Sequence, residues 1–74
     1  MIPRERLRAI LMNFADVPDR DDAPLTMDSL ALVQLVEALE DACGIRISAK
    51  DVTREHFGSI DALLALLAVL ETKR

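Results

Sequence analysis

Leu7, Ile10, Leu11 and Phe14 recur at the i, i+3, i+4, i+7 spacing that lays one apolar stripe along a helix. Pro3 suits the opening of that helix, where its missing N–H would have no intrahelical partner, so the spacing predicts a first helix over 3–15. From Asp16 to Asp28 the period is lost, and Pro18 and Pro24 stiffen a loop rich in Asp. The helical period returns with Leu32, Leu35, Val36, Leu39 and Cys43. Capping residues at Asp28 or Ser29 precede this stripe and Gly44 follows it, which predicts a second helix over 29–43. Ile45-Arg46-Ile47 alternates for too few residues to make a strand. Ser48 and Asp51 resemble a capping box and predict one short helix or 3₁₀ segment over 49–57. Ser59 caps a last helix over 60–71, with Asp61 at its positive end and Lys73 and Arg74 beyond its negative end. The expected fold is all-α: a small four-helix bundle of three main helices and one short one, with residues 1–74 as a single domain.

The last helix is apolar around more than the usual sector, because Ile60, Leu63, Leu64, Leu66, Leu67, Val69 and Leu70 do not fit one stripe. Such a helix either packs against two neighbours or leaves an apolar slot or contact patch.

Composition narrows the function. With 74 residues and 8.2 kDa the chain holds one compact unit, and area scaling gives roughly 4,500 Å² of folded surface, too small a body for a deep catalytic cavity. Hydrophobic residues make up 51% of the chain while Phe14 and Phe57 are its only aromatics, which suits aliphatic helix packing and excludes disorder. Net charge is −4, and its distribution matters more than its sum: 1–15 carries +2, 16–28 carries −4, 29–43 carries −3 and 44–74 carries +1. An acidic centre without interleaved aromatic and basic residues argues against nucleic acid and for partners with basic surfaces. The clustered carboxylates of 16–28 are expected to repel one another, so that salt or a divalent cation raises the melting temperature.

Cys43 is the only cysteine, so no internal disulfide forms, and one His with one Cys cannot make a structural zinc site. The longest apolar run, Ala62 to Leu70, is nine residues, short of the roughly 18 needed to cross a bilayer. A cytoplasmic monomer without membrane attachment is expected. His56 has no Ser or Cys placed against it, Cys43 falls on the inward stripe of the second helix, and the Asp residues at 16, 19, 21 and 22 lack the glycine and terminal glutamate of a calcium loop. Catalytic residues and metal ligands are therefore expected to be absent, and the chain is read as no enzyme.

Asp28-Ser29-Leu30 remains, where a proline-bearing loop turns into an amphipathic helix. A serine there projects its hydroxyl from a helix N-terminus, where backbone N–H groups and the dipole favour a phosphate; a purely structural cap has the same sequence. From Leu25 to Leu70 the chain resembles the acyl carrier protein family. The resemblance covers the Asp28-Ser29-Leu30 motif, the helix after it with Val33, Leu35, Val36, Ala38, Leu39 and Glu40, the Gly44-Ile45-Arg46-Ile47 exit, and Phe57-Gly58-Ser59-Ile60 with Leu63 in phase. It implies an acyl-carrier-protein-like bundle that carries acyl or aminoacyl groups as thioesters on a 4'-phosphopantetheine arm. Ser29 is the implied attachment residue, beside Asp28 of the motif. Coenzyme A is the implied donor, through a separate phosphopantetheinyl transferase that uses magnesium.

Fatty-acid carriers of that family usually have a glycine two residues before the aspartate and acidic residues two and five positions after the serine. Here those places hold Thr26, Ala31 and Gln34, which points to partners that read shape more than charge at this end. The segment from Ile47 to Phe57 is similar to that of stand-alone carriers in specialised metabolism. The reading is a discrete carrier for a polyketide, nonribosomal peptide or modified amino-acid pathway, loaded by acyl- or aminoacyl-activating enzymes. Leu30, Ala31, Gln34, Glu37, Glu40 and Asp41 are its candidate partner-binding residues. A general fatty-acid or lipid carrier, or an unmodified helical adaptor, remain as alternatives.

Overall fold

The computed structural model describes residues 2–72, whose regular elements are all helical, with no strand among them. Helix α1 spans Arg4–Leu11, α2 Ser29–Cys43, a 3₁₀ turn Ala49–Asp51, α3 Arg54–Phe57 and α4 Ile60–Thr72. Lys73 and Arg74, expected beyond the end of α4, lie outside the described residues.

α1 is shorter than its apolar stripe predicts. Pro3 sits before the helix in an extended conformation, and its carbonyl accepts the Arg6 and Leu7 N–H groups, each at 3.1 Å. After Leu11 the bonding tightens, with Asn13 N–H donating to Ile10 O and Phe14 N–H to Leu11 O. Phe14 still packs on the core, from a turn instead of a helix. The loop that follows is drawn back across α1, where the Arg8 guanidinium donates to Pro18 O twice, at 2.7 and 2.8 Å, and to Asp19 O at 2.7 Å.

The 49–57 segment is two short pieces, not one. Ser48 does not cap the 3₁₀ turn; its hydroxyl donates to Asp51 Oδ2 at 2.9 Å. Thr53 starts a new helix by accepting the His56 N–H on its Oγ1 at 3.1 Å. Ser59 caps α4 as its sequence suggests, accepting the Ala62 N–H at 3.1 Å.

α1 packs on both α2 and α4, and α3 lies on α4. One core joins them: Leu7, Leu11, Leu35, Leu39, Ile60, Leu63 and Leu67 are fully buried. Ile45, Ile47 and Phe57 close it from the connecting segment. At about 25 cal/mol per Å² of apolar surface, seven such aliphatic side chains supply the main drive to fold. Two backbone hydrogen bonds also tie the loop to the C-terminal half of the chain. Asp21 O accepts the Asp61 N–H at 3.0 Å, satisfying a first-turn amide of α4, and Leu25 N–H donates to Gly58 O at 2.8 Å.

Candidate functional site

Asp28 is the N-cap of α2. Its backbone is extended (φ −80°, ψ 175°), and its Oδ1 accepts the Ala31 N–H at 2.8 Å. Ser29 follows as the first helical residue and is exposed. The four N-terminal amides of a helix have no intrahelical acceptor; the Asp28 carboxylate takes one, and those of Ser29 and Leu30 remain at the surface. No acidic residue occupies the first turn of α2, so the Asp28 carboxylate is the one acidic side chain set against the positive end of its dipole from the motif itself. An exposed hydroxyl at such a terminus suits an anionic substituent such as a phosphodiester. The carboxylate of Asp28 is engaged in capping, so its first role is to fix the turn that presents Ser29.

Gly44 ends α2 in the left-handed conformation (φ 64°), with its N–H on Glu40 O. Along the outward face between these ends, Leu30, Gln34, Glu37 and Asp41 share one exposed stripe. Ala31 and Glu40 flank it, both half-buried. Glu40 is turned inward to a task of its own: its Oε2 accepts the Ile47 N–H at 2.8 Å, tying the exit segment to α2. Val33 joins the stripe, 56% exposed beside a 67% exposed Leu30. Sequence reasoning gave Val33 no surface role, although its spacing of three from Leu30 was the available signal.

Two grooves meet beside this helix start. One, of about 570 Å³, runs between Pro24, Leu25, Thr26 and Met27 on one side and Val52, Thr53, Arg54, Phe57 and Gly58 on the other. The second, of about 320 Å³, continues past Val36, Ile47 and Ala49, and the two share Leu32 and Val52. No residue of α4 lines either groove.

Other reactive side chains are placed apart and have structural work. His56 Nδ1 lies 2.8 Å from Asp51 O, which accepts a hydrogen bond when that nitrogen carries the proton. The Asp51 carboxyl is held below the usual range, first by the Ser48 hydroxyl and also by nearby Lys50 and His56. Cys43 is half-buried, and burial, with Glu71 nearby, pushes its thiol up. The acidic loop is not a bare cluster. Asp21 pairs with Arg4 and Arg8, and Asp22 with Arg20 at 2.9 Å. Among the described residues no three His, Cys, Asp or Glu side chains are gathered as metal ligands would be, and no helix is long and apolar enough to cross a membrane.

A family model described as "Phosphopantetheine attachment site" matches residues 5–67. The chain is also 37% identical over 78 residues to the 4-methyl-3-hydroxyanthranilic acid carrier protein of Streptomyces anulatus, with the whole of both chains covered.

Proposed function

The chain belongs to the phosphopantetheine attachment-site family, non-catalytic carriers with a 4'-phosphopantetheine prosthetic group, and from that premise we propose that Ser29 Oγ is the attachment point. The observation that carries this is an exposed hydroxyl at the first position of α2, behind the Asp28 cap and with no acid in the first turn. When attached, the group supplies a thiol at which a carboxylic acid travels as a thioester. The chain's own part is to hold the hydroxyl outward, to offer the Ser29 and Leu30 amides to the anionic link, and to be recognised by successive enzymes. The family implies a phosphopantetheinyl transferase and loading enzymes as partners.

The stripe of Leu30, Val33, Gln34, Glu37 and Asp41, with Ala31 and Glu40 at its edges, is the proposed docking surface. Its apolar part lies next to Ser29 and its charged part a turn or more away. A partner therefore meets Leu30 and Val33 with an apolar depression and Glu37 and Asp41 with basic side chains. The cargo is proposed to be a single-ring aromatic acid of the kind named for the Streptomyces relative. A discrete carrier in a specialised pathway is the role this supports.

Intact-mass spectrometry tests the attachment. The protein is incubated with coenzyme A, magnesium and a broad-specificity transferase, with Ser29→Ala in parallel. A gain of one phosphopantetheine on the parent and none on the variant is expected; equal gain on both removes the assignment to Ser29. Loading of the modified protein by an adenylating enzyme with 3-hydroxyanthranilic acid then tests the cargo class against acetyl and long-chain acyl donors. Preferential loading of the fatty acyl group would overturn the aromatic reading.

A further inference from the structure

α4 is more apolar than the core requires. Ile60, Leu63, Leu66 and Leu67 are buried, yet Val69 stays 49% exposed. The reason is geometric: α3 has only four residues and lies on α4, about 6 Å of helix against the 20 Å of a thirteen-residue one. Beside it an open groove of about 470 Å³ remains. Its floor is formed by Ala62, Ala65, Leu66, Val69 and Leu70, and its polar rim by Asp51, Glu55 and His56. The small side chains at 62 and 65 lower the floor so that another backbone can come close. Both carboxylates on the rim face the groove, while Lys50, which lies near Asp51, and Arg54 do not line it. This groove shares no lining residue with the two grooves beside the start of α2, and Ser29 lines none of the three.

We propose that the α3–α4 groove is a second docking site, and that its occupant is a basic amphipathic helix of a partner protein, with apolar side chains on Ala62, Ala65 and Val69 and Lys or Arg against Asp51 and Glu55. Charge complementarity selects this occupant. A second copy of the chain would bring its own net charge of −4 to a carboxylate rim, whereas a basic helix neutralises it. The Ser48 hydroxyl also keeps the Asp51 carboxyl ionised to lower pH than an ordinary aspartate. Because the groove leaves the Ser29 end uncovered, a helix seated there tethers the carrier while its reactive end stays accessible. Tethering raises the effective concentration of the second contact without a tighter first one.

The test is amide chemical-shift mapping on the full, isotopically labelled chain. The probe is an 18-residue synthetic helix with leucines on one face and lysines on the other, compared with a counterpart carrying glutamates for lysines. Saturable shifts centred on α3 and on 62–70 of α4 are expected with the lysine peptide and none with the glutamate peptide. Val69→Lys, at an exposed position, weakens binding about tenfold or more, and Glu55→Gln weakens it by up to about fivefold; circular dichroism confirms that both variants fold. Shifts confined to α2 from Leu30 to Asp41, equal binding of the glutamate peptide, or no saturation would each overturn the proposal. So would concentration-dependent shifts at 62–70 without peptide, which would give the groove to a second copy.

Discussion

Asp28 and Ser29 are adjacent but do different physical work, and substitutions separate them. Asp28→Ala removes the acceptor of the Ala31 N–H and costs about 1 kcal/mol, a fall of about 5 °C in melting temperature for a domain of this size. Asp28→Asn keeps a capping oxygen and restores most of that loss, so thermal melts of the three proteins report the cap alone. Ser29→Ala melts with the parent, since its hydroxyl is exposed. At Cys43 the raised thiol pKa, caused first by burial and then by the negative charge of Glu71, keeps the group protonated at neutral pH. Iodoacetamide at pH 7 is expected to modify apo protein more slowly than a free thiol such as glutathione, and mass spectrometry follows it. Asp51 gives a pH-dependent counterpart. Its folded pKa is depressed below 3.8, chiefly by the Ser48 hydroxyl, so its contribution to stability is present above the unfolded pKa and is lost as pH falls through the folded one. Ser48→Ala therefore lowers the melting temperature at pH 7, and the difference from the parent closes in strong acid.

At the scale of elements, α2 is defined by its ends. Asp28 satisfies an N-terminal amide, and Gly44 turns the chain with φ 64°, a region that costs a residue with a Cβ roughly 1–2 kcal/mol. Gly44→Ala should lower stability by about that amount in urea unfolding. Gly58 is required for a different reason. Its φ of −80° suits any residue, but an added Cβ would lie 2.5 Å from Arg54 O. Gly58→Ala displaces the last turn of α3, and because Leu25 N–H rests on Gly58 O, the disturbance reaches the loop that leads into Ser29. Hydrogen exchange of the Leu25 amide, faster in Gly58→Ala than in the parent, checks that coupling.

The whole molecule, 30 × 23 × 20 Å, is tied together around Asp21. Arg4 and Arg8 reach it from α1, its carbonyl holds the first turn of α4, and Arg4 also approaches Asp61 at 3.8 Å. Arg8→Ala removes three hydrogen bonds to loop carbonyls and one ion pair, and is expected to destabilise by about 2 kcal/mol, near 10 °C in melting temperature. The arrangement revises the expectation that salt raises the melting temperature. Asp21 and Asp22 face arginines, so added salt screens attractions as well as repulsions, and a melting temperature nearly flat between low and moderate salt is the expected result.

By itself the sequence determined the all-helical class, the span of α2, the Ser59 cap and the Asp28-Ser29 turn. Each rests on interactions within a few residues, such as a capping oxygen three positions from its amide or apolar side chains one helical turn apart. Tertiary structure decided what depends on residues distant in the chain. It laid the loop after α1 back along that helix, where Arg8 holds the Pro18 and Asp19 carbonyls. It turned Glu40 inward to Ile47 and left Val33 outside, since a helix period places residues on faces but does not say which face meets the core. It also left the excess apolar surface of α4 at a groove, because the four-residue α3 is too short to cover it.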